Sequence, residues 1–275
     1  MKKILFLISI FFSSSLFTTD EKVGTFFEEQ HITGETGQEN LINQGKSLIF
    51  LLTWNKWIFF KMSKLRSAVI KYSKKLNSTN LSALRSGNIS VRTKEKKIDG
   101  FYITPSGTKY SSLKLKDIVF VTLKGKFDKK KGIPSSEWRF HQDIYVNKKE
   151  AKAIVHAHSI CATAVSTHQK SIPAFHYMIG VAGGDDIKCT KYATFGTRKL
   201  SNNIISALKN RLACLIGNHG QIAFGENLDK AFELAQEIEN ICNQYINALR
   251  IGIPRILSKK EMKIVIGKMK NYKKD

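Results

Sequence analysis

An α/β domain with a mainly antiparallel central sheet flanked by helices is the fold class this sequence predicts. Strand-like segments outnumber the helices that connect them, and several are joined by direct strand-to-strand turns. A single long stripe of apolar residues at helical spacing crosses the C-terminal third. A chain of 275 residues is ample for one large core.

The elements follow in order. Leu65, Ala68, Val69, Tyr72 and Leu76 recur at helical spacing. Short runs rich in β-branched residues predict strands over Ile89–Val91, Ile98–Ile103, Ile118–Leu123, Ala153–His158, Ala213–Ile216 and Ile222–Phe224. A helix is predicted over Ser136–Val146, with Ser as its N-cap. A long helix over Asn227–Leu249 lines up Leu228, Ala231, Phe232, Ala235, Ile238, Ile241, Cys242 and Tyr245, a stripe read as core packing. A last helix near Ser258–Met269 delivers Tyr272, with a basic tail expected to stay mobile until ligand closes the pocket.

Chemistry concentrates in a few loops and strand ends. Side chains at i and i+2 on a strand share a face, so His156 and His158 can reach one metal ion. The pair alone is weak evidence for a metal and fits better two half-buried rings donating to carbonyls. His219, between Asn218 and Gly220, falls at the end of the apolar run from Leu212 to Ile216. With Glu137 these residues offer three imidazoles and one carboxylate, a set that suits zinc. Pro134-Ser135-Ser136-Glu137 enters a helix, where free N–H groups attract anions. Ser86-Gly87-Asn88-Ile89-Ser90 and Thr104-Pro105-Ser106-Gly107 combine glycine with hydroxyl or amide groups, as phosphate-holding turns do. Each also fits an ordinary turn, and the sequence carries neither a Walker motif nor a dinucleotide fingerprint.

Taken together, these five motifs resemble the class II aldolase/adducin family from about Met62 to the C-terminus. Pro134–His141, Ser171–Met178 and Tyr192–Arg198 are most similar to the branch that cleaves L-fuculose 1-phosphate. The resemblance implies a three-layer fold, a homotetramer with sites at subunit interfaces, and one zinc ion per subunit. It implies reversible aldol cleavage of a small phosphorylated sugar, L-fuculose 1-phosphate, to dihydroxyacetone phosphate and L-lactaldehyde. By position it makes Glu137, His156, His158 and His219 the metal ligands, and Glu137 also the catalytic acid/base. Gly87, Asn88, Ser106, Gly107, Ser135 and Ser136 match phosphate-binding positions, with Ser106 where relatives carry Thr. Tyr177 matches a catalytic tyrosine that serves the neighbouring subunit's site, and Phe195 and Tyr272 match residues that shape the aldehyde pocket. Zinc would act as a Lewis acid on developing enediolate charge while Glu137 moves a proton. No Schiff-base lysine is required. On the same scaffold the alternatives are an L-ribulose-5-phosphate 4-epimerase, a methylthioribulose-1-phosphate dehydratase, or a non-enzymatic adducin-like binding protein. Glu137 argues against the epimerase, which carries Asp after the paired serines. Retention of all four ligands argues against the binding protein.

Charge and cysteines bound the remaining classes. The formal net charge is +23, and since basic and acidic residues balance over residues 1–61, the excess lies in the aldolase-like part. Most of it is scattered lysine without an arginine-rich motif or aromatic ladder, so no specific nucleic-acid partner is expected. Cys161, Cys189, Cys214 and Cys242 form no C-x-x-C pair; three lie in apolar surroundings and are expected to be buried free thiols, which favours a reducing, cytoplasmic setting. The N-terminus pulls the other way: Met1-Lys2-Lys3, an apolar run over Ile4–Phe12 and a Ser-rich stretch have the build of a secretory signal. A second apolar stretch, Leu48–Phe60, is interrupted by Asn55 and Lys56. Residues 1–61 are therefore read as an extension outside the catalytic fold, either a targeting segment or an artificial start upstream of Met62, and the domain as 62–275. No membrane partner is expected beyond that signal-like segment.

Overall fold

The computed structural model describes residues 62–272. The expectations for residues 1–61 lie outside the described residues. Helix α1 covers 62–78. Strands β1 (Asn88–Glu95), β2 (Ile98–Ile103) and β3 (Val119–Thr122) follow, then helix α2 (Trp138–Asn147) and strand β4 (Ala153–Ala157). Helix α3 (Ile160–Ser166), the short strands β5 (Ile172–Pro173) and β6 (Asp186–Ile187), and helix α4 (Arg198–Ala207) come next. Strands β7 (Ala213–Ile216) and β8 (Gly220–Gly225) lead into helices α5 (Leu228–Ile251) and α6 (Lys259–Tyr272).

Six strands form one sheet in the order β3-β2-β1-β4-β8-β7, and every neighbouring pair is antiparallel. Direct hairpins explain this. β1 and β2 turn through Lys96 and Lys97, both at positive φ (49° and 65°), which matches the twist of the flanking strands. β7 and β8 turn through Gly217-Asn218-His219, with Asn218 at φ 54°, a conformation Asn tolerates better than most residues.

The sheet is buried on both sides, which makes the fold three-layered. Alternation along each strand divides the core: Ile89, Val91, Val155, Leu215 and Ala223 pack with α1, α3 and α5, while Phe101, Ile103, Ile154, Cys214, Ile222 and Phe224 pack with α2 and α4. α5 lies along β4 and β8, and α2 packs on α4. Burial of a Leu, Ile or Phe contributes about 1.5–3 kcal/mol, whereas exposed pairs such as Lys94–Asp99 contribute about 1 kcal/mol at most. Packing, not surface charge, therefore holds the layers together.

Several sequence expectations shift. The predicted helix at Ser136–Val146 begins at Trp138; its N-cap position is Glu137, which makes no side-chain cap, and neither serine caps it. β1 is longer than expected, continuing to Glu95 because its hairpin with β2 carries polar residues on strand. Among the cysteines, Cys214 and Cys242 are buried, but Cys161 and Cys189 are only partly so, giving two fully buried thiols where three were expected. Cys161 is in the first turn of α3, where its backbone N–H meets Glu239 and its side chain stays near the surface. No helix of the described residues is long and apolar enough to cross a membrane.

Candidate active site

His156 and Asn88 sit opposite each other on β4 and β1, on the sheet face that carries α2. His158 follows two residues later, just past the end of β4, and His219 closes the β7–β8 turn. Glu137 precedes α2. Four separate stretches of chain thus converge at one rim of the sheet. One ligand atom from each of Glu137, His156, His158 and His219 lies within 4.8 Å of all the others.

The donors are aimed inward. His156 Nε2 and His219 Nε2 lie 2.9 Å and 3.0 Å from His158 Nε2. Glu137 Oε2 is 3.1 Å from His156 Nε2, and Oε1 is 3.2 Å from His219 Nε2. His156 Nδ1 donates to the Gln221 carbonyl at 2.8 Å, so its Nε2 lone pair faces the cluster. Burial and the neighbouring His156 and His219 push His158 down to about 3, which keeps it in the neutral form that binds metal. Burial acts to raise the Glu137 pKa, but in the metal-free cluster protonated His156 and His219 would outweigh it and hold the carboxyl well below the usual range. Glu137 Oε1 is a buried oxygen with no hydrogen-bond partner among the described residues. Converging nitrogen lone pairs and an orphaned carboxylate oxygen are what a divalent cation satisfies, so the residues present fit a metal ion.

Beside the cluster opens a cavity of about 360 Å³. Glu137, His158 and His219 form one wall. The others come from the three loops singled out in the sequence, through Gly87, Asn88, Ser106, Gly107, Ser135 and Ser136. These loops are strapped together. Pro105 and Pro134 form a bridge, Ser106 N donates to Ile133 O at 3.1 Å, and Ser135 N donates to Thr104 O at 3.0 Å. Gly87 has φ 80°, and a Cβ there would stand 2.6 Å from the His156 carbonyl oxygen, so only glycine brings this loop against β4. Gly107, at φ 71°, has open space where a side chain would be. Its amide and that of Ser136 donate to no acceptor among the described residues. A second, larger trough of about 930 Å³ runs along β3 past Lys129–Lys131 and shares Pro105 and Ser106, but none of the clustered histidines lines it.

Phe195 lines the cavity mouth and is 64% exposed. Tyr177 does not line it; it opens a short 3-10 turn over Tyr177–Ala182 and is 51% exposed. Tyr272 ends α6, and its side chain lies outside the described residues. Sequence reasoning missed Arg85, which lines the cavity and donates to Gly107 O at 3.1 Å, and Tyr192 at the mouth. Its neighbour Ser86 was the only local signal for Arg85. It gave no role to Tyr145, and quoted Ser90 and His141 only within longer motifs, although all three stand behind Glu137 in one hydrogen-bonded chain.

A carboxylate-histidine centre next to an amide- and hydroxyl-lined cradle defines a class, the metal-dependent enzymes that act on small anionic substrates. Comparison with known proteins narrows it. The profile of the class II aldolase and adducin N-terminal domain matches residues 67–246, and the chain belongs to that family. It is 44% identical over 211 residues to L-fuculose phosphate aldolase of Escherichia coli, covering 76% of this chain and 96% of that protein. It is 41% identical over 208 residues to a 5-methylthioribulose-1-phosphate/5-deoxyribulose-1-phosphate aldolase of Rhodospirillum rubrum, covering 76% of this chain and 92% of the relative. A solved L-fuculose 1-phosphate aldolase superposes with a TM-score of 0.71 at 37% identity, over 75% of this chain and 96% of that one.

Proposed function

We propose that residues 62–275 form a class II aldolase that binds zinc through Glu137, His156, His158 and His219 and reversibly cleaves L-fuculose 1-phosphate to dihydroxyacetone phosphate and L-lactaldehyde. The observation that carries this reading is the inward-facing cluster of one carboxylate and three imidazoles, with the buried Glu137 Oε1 left for a cation. Residues 1–61 are an extension outside the catalytic unit.

The bound metal supplies Lewis acidity that stabilises negative charge developing on the substrate oxygens. The chain's own residues do the rest. Gly87, Asn88, Ser106, Gly107, Ser135 and Ser136 hold the phosphate with amides and hydroxyls, and the Arg85 guanidinium adds a positive charge at the same loops. Anchoring the phosphate fixes the reacting carbons relative to Glu137. Glu137 faces both the cluster and the cavity, and as a carboxylate it takes or returns a proton at the carbon next to the carbonyl. Phe195 and Tyr272 shape the aldehyde side of the pocket. Tyr177 stands away from its own cavity and exposed, which supports a role in protonating the aldehyde oxygen at a neighbouring subunit's site, in a homotetramer. Cysteines free of disulfides support a cytoplasmic location.

A second reading, cleavage of 5-methylthioribulose or 5-deoxyribulose 1-phosphate, is favoured by the Rhodospirillum rubrum relative, whose identity is close to that of the fuculose phosphate enzymes. The test is zinc-loaded protein incubated with each sugar phosphate in parallel, with dihydroxyacetone phosphate release followed. Release from L-fuculose 1-phosphate at the highest kcat/KM is the expected outcome. Release only from the ribulose derivatives establishes the second reading, and no release from any of them refutes both.

A further inference from the structure

Behind Glu137 a chain of hydrogen bonds runs from the cavity into the core. Glu137 Oε2 accepts from Asn88 Nδ2 at 3.0 Å, and the same Nδ2 lies 3.1 Å from Ser135 Oγ. Asn88 Oδ1 is bonded to His141 Nε2. His141 Nδ1 lies 2.7 Å from Ser90 Oγ, which lies 2.8 Å from Tyr145 Oη. All of these residues are buried, Ser90 and His141 completely.

With His141 neutral, the members admit one arrangement of protons. A carboxylate only accepts, so Asn88 must turn its NH2 towards Glu137 and its carbonyl oxygen towards His141. His141 must then carry its proton on Nε2 and accept on Nδ1. Ser90 therefore donates to His141, and its oxygen is left to accept from the Tyr145 hydroxyl. Turning any member round sets lone pair against lone pair. Turning Asn88 round places its carbonyl against the Glu137 carboxylate in a low-dielectric interior, where the repulsion is large. The other neighbours of His141 do not call for a polar ring: Phe140 stacks on it, and Ile144 is one helical turn away. An apolar side chain would suit these two neighbours, but it would leave the buried Asn88 Oδ1 without its donor.

We propose that His141, held in one tautomer by Ser90 and Tyr145, is a positioning residue that fixes the Asn88 carboxamide and through it the Glu137 carboxylate and the Ser135 hydroxyl. It touches neither metal nor substrate. The inference rests on the reading of Glu137 as the proton-moving group, and it extends that group's supports from the cavity wall to the far end of α2.

Two readouts test it on the zinc-loaded full chain. In long-range proton–nitrogen spectra of histidine-labelled protein, His141, assigned by its disappearance in His141→Gln, is expected as the neutral Nε2–H form. A Nδ1–H ring, or an average of both forms, overturns the relay whatever the substrate proves to be. In kinetics, His141→Leu removes the donor and is expected to lower kcat by about 10- to 100-fold, with KM and bound zinc near wild type. His141→Gln keeps an N–H for Asn88 and should recover part of that loss. Equal kcat in the two variants, or wild-type kcat in His141→Leu, overturns the proposal. Should His141→Leu fail to fold, Tyr145→Phe removes only the last hydroxyl. It should lower kcat at constant KM and broaden the His141 signal, and wild-type behaviour in both respects overturns the relay. If wild-type protein cleaves no L-fuculose 1-phosphate, the activity reading fails while the tautomer still decides the relay.

Discussion

The two faces of the sheet are built to different rules. Against α1, α3 and α5 the strands present small residues, Ala153, Ala157, Ala213 and Ala223, and α5 answers with Ala231 and Ala235. Small residues on both sides let a long helix lie close to the sheet. Polar groups on this side form short, separate contacts: Ser73 donates to Val69 O, and Gln221 Nε2 to Ala235 O and Ser159 Oγ, while Gln221 Oε1 has no partner among the described residues. Against α2 and α4 the core is larger-grained, with Phe101, Phe140, Phe224, Ile154 and Ile222. Towards the rim this face changes to Asn88, Ser90, His141 and His156, a connected polar stripe ending at the cavity. One face is a platform, and the other is a platform that turns into a site. Damage on the first should show in stability and damage on the second in chemistry.

The largest effect is expected at the metal ligands. His156→Ala or His219→Ala should weaken zinc binding and abolish activity together, because each removes one imidazole from the proposed ligand set and disturbs the geometry of the rest. Full zinc occupancy by elemental analysis in either purified variant would remove that residue from the ligand set. Glu137→Gln comes next. It keeps the shape of the side chain but accepts no proton, so turnover should fall by about 10²- to 10⁴-fold with zinc largely retained. Near-normal turnover would mean that another group moves the proton.

A smaller recovery is expected when inactive Tyr177→Phe and Glu137→Gln subunits are refolded together, since some interfaces then unite a native Tyr177 with a native Glu137. Mixed tetramers by sedimentation with no regained activity would break the shared-site model. The smallest effect on chemistry belongs to the platform. Ile238→Ala, in the fully buried stripe of α5, should cost about 2–5 kcal/mol in urea unfolding. Its kcat should stay within about twofold of wild type, a change of less than 0.5 kcal/mol in barrier. A kcat loss comparable to that of Glu137→Gln would erase the distinction between the faces.

The platform was the more legible half. α5 announces itself through residues repeating at helical spacing, and the β1–β2 and β7–β8 hairpins through short β-branched runs. The clustering of Glu137 with the three histidines was legible because His156 and His158 share a strand face and because the loop motifs match a family. Other parts were not. α4 buries only Leu200, Ser201 and Ile204 of its ten residues and carries two asparagines, so its pattern is thin. α3 spans barely two turns, with Ala162, Val165 and Ser166 buried. The relay is invisible for a different reason. Asn88 and His141 are 53 residues apart, and nothing local marks a helix histidine whose partner is a strand asparagine. Tyr177 does not line the cavity of its own chain and is exposed, so no local pattern ties it to that site.

The pairing of Asn88 with His156, and of His156 with Ile222, has a consequence for how the chain matures. A slip of one residue between β1 and β4, or between β4 and β8, turns the displaced strand's side chains to the opposite face. Asn88 would lose Glu137, or His156 would lose its place beside His158 and His219. Capture of the proposed ion would therefore reward correct strand alignment. A misaligned chain offers an incomplete set of donors, binds weakly and gains little from the ion, whereas a properly aligned chain is stabilised by it.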